Sequence, residues 1–120
     1  MILTAAGTPP KLDIEINPHG AAIEVRLYAE DPVRDFQPSP GVLTDVVFSE
    51  SARIDTWVST GTEVSPYYDP MIAKIIVYGK DRADAIAKMS TALNETRAAG
   101  IANNLDYLRQ IIASNIIAKG

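Results

Sequence analysis

The chain has 120 residues, 47% hydrophobic and 22% charged, with a net charge of −4. Such a composition fits one globular domain with a single core, and the length is short for a unit that must hold a nucleotide, a second substrate and a partner. The eleven Lys and Arg form no run, which argues against a nucleic-acid partner, and no apolar stretch approaches the roughly 20 residues that crossing a membrane requires. With no cysteine there are no disulfides, thiolate catalysis or cysteine-based zinc sites, and a reducing, cytoplasmic setting is expected.

Met1 to Gly7 carries no basic leader, and its apolar run is too short for a signal peptide. It reads as the last turn of a helix, closed by Gly7 and stopped by Pro9 and Pro10, so residues 1–20 are expected to be a helix remnant and a connector from something longer. Thr8 to Gly20 is extended, with at most a short edge strand over Leu12 to Ile16. Ala21 to Ala29 alternates, with Ile23, Val25 and Leu27 on one face and Glu24, Arg26 and Tyr28 on the other, the pattern of a half-buried strand.

Turn signals at Pro32 and Pro38-Ser-Pro-Gly41 lead into a second strand, Val42 to Phe48, and a third follows over Arg53 to Val58. After the rigid corner Ser65 to Pro70, Met71 to Tyr78 is apolar almost throughout, as expected of a central strand covered on both faces. From Asp81 the period changes to that of a helix, with Ile86, Met89 and Leu93 inward and Gly100 as its closing glycine. Asn103 or Asn104 caps a second helix whose buried stripe is Leu105, Leu108, Ile111 and Ile112. Residues 21–120 thus read as an α+β domain, a small antiparallel sheet with two C-terminal helices packed on one side.

There is no P-loop, dinucleotide fingerprint or nucleophile elbow, and no metal-ligand spacing. The single histidine, His19, lies in a turn and receives no role. Three charged residues stand in strands or at a corner, where charge costs desolvation: Arg26, Asp69 and Lys74. Each has an ordinary reading, respectively a cross-strand ion pair, a turn former, and a snorkelling side chain or half of a salt bridge with Glu24 or Asp55.

Four blocks in order nevertheless carry a resemblance. Ala22-Ile-Glu-Val-Arg-Leu-Tyr-Ala-Glu-Asp-Pro32 resembles the A-x-E-x-R-x-x-A-E-D-P segment of biotin carboxylases and is followed by Phe36-Gln-Pro-Ser-Pro-Gly41. Val64-Ser-Pro-Tyr-Tyr-Asp-Pro-Met-Ile-Ala-Lys74 resembles the family's P-Y-Y-D-x-M-x-x-K block, and Glu95 to Leu105 its E-x-x-I-x-G-V-x-T-N junction. The chain is thereby identified as similar to the C-terminal domain of the biotin carboxylase component of biotin-dependent carboxylases. Asp55-Thr-Trp-Val58, the Gly61 to Val64 turn and the ending at Gly120 look most like urea carboxylases and urea amidolyases, with acyl-CoA and pyruvate carboxylases as alternatives.

The resemblance implies that an ATP-grasp region activates bicarbonate with MgATP and carboxylates the ureido nitrogen of biotin on a carrier domain, after which a carboxyltransferase domain takes the carboxyl group. It implies that residues 1–20 lead from that ATP-grasp region, and that MgATP is bound there. The family's arginine that holds the biotin oxygen and touches bicarbonate maps onto Arg26, a fitting residue because guanidinium stays charged and presents a planar fork of donors. Asp69 and Glu24 are expected to support it, Asp69 by orienting Arg26. Arg53 matches an arginine at the dimer interface of bacterial relatives, although Glu50 stands where they carry an aromatic. Two readings stand at this point: a fragment of an ATP-dependent ligase, inactive alone, or a non-catalytic module that docks a carrier or partner protein.

Overall fold

In the computed structural model, which describes residues 1–11 and 13–120, the chain opens on one helical turn, α1 (Ile2–Ala5). Gly7, at φ 83°, lets its own N–H and that of Thr8 donate back to the Thr4 and Leu3 carbonyls at 3.1 and 2.9 Å, the glycine-closed helix end read from the sequence. All described residues of the connector through Gly20 are exposed. Of the edge strand expected over Leu12 to Ile16, no part forms in residues 13–16, and Leu12 lies outside the described residues. The Tyr78 hydroxyl, donating to the His19 carbonyl at 3.0 Å, ties the connector's end to the domain.

Alternation then builds β1 (Ala21–Tyr28), with Val25 and Leu27 buried and Glu24 and Arg26 exposed. The chain continues through β2 (Glu30–Asp31), a single 3-10 turn at Pro32–Arg34 and β3 (Gln37–Pro38), which pairs with β2. The expected strand from Val42 to Phe48 is broken in two, β4 (Gly41–Val42) and β5 (Asp45–Val47). Between them Leu43 is fully buried, and its backbone bonds to the Gly61–Thr62 turn, so neither ladder runs through it. β6 (Arg53–Thr56) stops short of Val58 because the Thr56 hydroxyl accepts from the Val58 N–H at 3.2 Å and donates to the Ile72 carbonyl at 2.6 Å.

β7 (Glu63–Val64) pairs with β4, and β8 (Met71–Gly79) forms the middle of an antiparallel sheet in the order β1–β8–β6. β8 is central as expected, but beyond the buried Ile72 its second face is not packed. Ala73, Ile75 and Val77 are buried, whereas Lys74 and Ile76 are half-buried and Tyr78 is exposed. An apolar run suggests two covered faces, yet here the second face meets solvent.

Asp81 caps α2 (Arg82–Glu95) by accepting from the Asp84 N–H at 2.8 Å. Ala85, Met89, Ala92 and Leu93 are its buried residues, with the expected Ile86 half-buried at the margin. Gly100 does not close this helix. α2 ends at Glu95, β9 (Arg97–Ala99) intervenes and pairs with β5, and Gly100 at φ 109° passes so close to Val42 and Thr44 that a Cβ there would lie 2.3 Å from the Val42 carbonyl oxygen. α3 (Leu105–Ala113) carries the expected stripe, with Leu105 and Ile112 buried, and a short α4 (Asn115–Lys119), absent from the sequence reading, completes the chain. The architecture is the expected α+β one: α2 and α3 cover one side of the three-stranded sheet, and Leu27, Ile75, Met89 and Leu93 are fully enclosed between the layers.

Candidate functional site

The uncovered side of the sheet is polar because its residues are those facing away from the helices. Two rows cross all three strands. Glu24, Ile76 and Arg53 form one, and Arg26, Lys74 and Asp55 the next. Two strand periods of alternation therefore suffice to gather five charged side chains on one open surface.

Arg26 projects from this surface with 57% of its side chain exposed, and its Nε donates to Glu24 Oε1 at 3.5 Å. The Tyr28 hydroxyl first, and the Glu24 carboxylate second, raise the guanidinium above its ordinary value, so it is charged at any working pH. The long, exposed pairing with Glu24 leaves most of the guanidinium's five donors free. Arg53 is engaged differently. It forks onto Asp55, with both contacts at 3.1 Å, and Asp55 foremost, aided by the charge of Glu24, holds it above the ordinary range.

Lys74 forms neither of the expected salt bridges: no ion pair among the described residues includes it. Glu24 turns to Arg26 and Asp55 turns to Arg53, so both candidate partners are taken. Asp69 uses its side chain locally, accepting from the Met71 N–H at 2.9 Å, and no hydrogen bond joins it to Arg26. The Ala29 N–H meets the Pro70 carbonyl, so Asp69 lies beyond the end of the β1–β8 ladder, while Lys74 is the residue that faces Arg26. Asp69 sets the corner from which β8 departs.

Sequence reasoning missed Asn104 as part of this region. Read as a helix cap, it instead reaches β1: the Tyr28 N–H donates to its Oδ1 at 2.8 Å, and its Nδ2 donates to the Arg26 carbonyl at 3.1 Å. The available signal was the doubled asparagine, since Asn103 alone serves the helix start by accepting from the Leu105 N–H at 3.0 Å. The rim of the surface is aromatic, with Trp57, Tyr67 and Tyr68 exposed and the Trp57 indole donating to the Met71 carbonyl at 2.9 Å. Among the described residues no three His, Cys, Asp or Glu gather where they could hold a metal ion.

The family model of the biotin carboxylase C-terminal domain matches residues 24–120, and the chain belongs to that family. Among individual proteins, it is 53% identical to urea amidolyase of Saccharomyces cerevisiae over 99% of this chain and 6% of that protein. The crystal structure of the Kluyveromyces lactis urea amidolyase superposes with a TM-score of 0.94 at 54% identity, over 98% of this chain and 7% of that one. A biotin carboxylase domain dimer of Hydrogenobacter thermophilus 2-oxoglutarate carboxylase, in complex with MgADP, ADP and bicarbonate, superposes at 0.88 with 30% identity, over 99% of this chain and 27% of that one. The chain thus spans a small part of the length of the relatives it matches.

Proposed function

We propose that this chain is the part of an ATP-dependent biotin carboxylase, within a urea carboxylase or urea amidolyase, that supplies the arginine of the biotin and bicarbonate site. The observation that carries this reading is Arg26 itself: charged, largely unengaged, and presented on a face that no element among the described residues covers. The higher identity to urea amidolyases than to 2-oxoglutarate carboxylase supports urea as the eventual acceptor.

Biotin, when bound, supplies a ureido nitrogen that takes up the carboxyl group, and the residues that fit its ring here are Arg26 with Glu24 beside it. Arg26 directs N–H donors at an oxygen that gains negative charge during the reaction, and a donor fixed in advance stabilises that charge without reorganising. Glu24 keeps the guanidinium on the open face, Tyr28 flanks it, and Asp69 acts through the shape of the corner. The open face meets the ATP-grasp region, to which residues 1–20 lead and which binds MgATP. The carrier domain delivers biotin to the seam, the carboxyltransferase domain removes the product, and the setting is cytoplasmic. Arg53, on the same open face and forked onto Asp55, is the residue proposed to contact a second copy.

The test is ATP cleavage dependent on bicarbonate and free biotin, measured on the 120-residue chain and on the longer protein with its ATP-grasp region. The reading requires silence from the first and turnover from the second. Tight binding of a carrier protein by the short chain, with no turnover in the longer protein, would favour the docking module instead.

A further inference from the structure

We infer that Asn104 is a positioning residue for Arg26, its side-chain amide standing in for a neighbouring strand along the free edge of β1; this rests on the reading of Arg26 given above. β1 is the outer strand of its sheet, with β8 on one side and, among the described residues, no strand on the other. An edge strand presents unpaired peptide groups, and its ends fray when they find no partner. At Arg26 and Tyr28 three of those outward groups are met by one residue. The Tyr28 N–H donates to Asn104 Oδ1 at 2.8 Å, Asn104 Nδ2 donates to the Arg26 carbonyl at 3.1 Å, and the Asn104 N–H donates to the Tyr28 carbonyl at 3.2 Å.

The placement matters because the ladder to β8 slips its register between Leu27 and Tyr28, the point where pairing from the inner side holds the backbone least regularly. Asn104 grips the outer side over that same step. It is only 7% exposed, and its side chain makes no cap bond to α3, the role that Asn103 fills. An amide is the one side-chain group that offers an acceptor and a donor side by side, as a strand's peptide does. The grip on the Arg26 carbonyl and the Tyr28 N–H fixes the backbone from which the guanidinium is aimed. A misplacement of about 1 Å at a reacting centre costs up to roughly 10²-fold in rate.

The experiment uses the full-length protein, with Asn104→Ala, the near-isosteric Asn104→Asp, Arg26→Ala and the Arg26→Ala/Asn104→Ala double variant. Two rates are measured: bicarbonate-dependent ATP cleavage without biotin, and the increment that free biotin adds. Asn104→Asp keeps the acceptor for Tyr28 but turns a carboxylate oxygen toward the Arg26 carbonyl, so it loses the function while preserving the shape. Both single Asn104 variants are expected to lower kcat of the biotin increment by about 10-fold, with KM for ATP and the biotin-free rate within about twofold of wild type. In the Arg26→Ala background the Asn104 change adds no further loss, because what it positions is gone. Equal losses in both rates, or losses that add fully in the double variant, mean a structural role and overturn the proposal. An impaired Arg26→Ala beside an unaffected Asn104→Asp overturns it alone, whereas an unaffected Arg26→Ala removes the reading of Arg26 and this proposal together.

Discussion

Arg26 and Lys74 stand directly opposite each other across β1 and β8, two cations in one cross-strand pair on the open face. Like charges in that relationship oppose pairing, and neither Glu24 nor Asp55 bridges to Lys74. Lys74→Glu is therefore expected to raise the urea midpoint of the domain and to lower biotin-dependent turnover, since the new carboxylate engages the Arg26 guanidinium. Parallel denaturation and activity measurements on that variant check both signs.

The start of α2 carries a carboxylate that is held charged. Asp84 accepts from the Lys80 N–H at 2.9 Å and pairs with Lys88 at 3.2 Å, and these two, the backbone bond first, hold its carboxyl below the usual value. A depressed folded-state pKa contributes stability that is present above the unfolded value of about 4 and is lost as pH falls through the folded one. Asp84→Asn should flatten the fall in stability between about pH 5 and pH 3, with a lower plateau at neutral pH. Urea melts followed by circular dichroism at those pH values give the comparison.

Arg109 closes the other end of the same helix. Its guanidinium donates to the Leu93 carbonyl at 3.0 and 3.1 Å and to the Thr96 carbonyl at 2.9 Å, while Asp106 at 2.7 Å holds it in place. Loss of a charged donor from part-buried carbonyls costs about 1.5–3 kcal/mol. Arg109→Met keeps the stem's packing and should lose that amount in chemical denaturation without changing the slope.

Gly100→Ala is expected to destabilise by more than about 1 kcal/mol, because its φ of 109° excludes a Cβ and because that atom would meet the Val42 carbonyl at 2.3 Å. The damage should concentrate in the β4–β5 segment, read as faster amide exchange at Leu43 and Thr44.

Legibility in the sequence followed the range of the interactions. The alternation around Val25 and Leu27 located β1 to within a residue, and Asp81 marked the start of α2, because both signals are local. The break at Leu43 was hidden, since it is made by bonds to Gly61 and Thr62 on another loop. Gly100 was read as a helix-closing glycine; its positive φ instead serves the close pass beside the Val42 backbone, a contact from another part of the chain. At the site, the resemblance pointed to Arg26, but that Lys74 opposes it and that Asn104 grips its strand depend on register and on a contact 78 residues away. Asp69 was legible as a turn former, and its bond to Met71 is the one a residue at that corner makes locally.

The most direct test of the account is transfer of labelled bicarbonate to free biotin by the full-length protein carrying Arg26→Ala, with biotin-free ATP cleavage as the internal control. The account predicts a loss of roughly 10²–10³-fold in transfer, as for removal of a fixed donor to developing negative charge, and a clearly smaller loss in biotin-free ATP cleavage, where Arg26 meets bicarbonate alone. Transfer at the wild-type rate would contradict it, leaving Arg26 as half of a surface ion pair with Glu24 and nothing more.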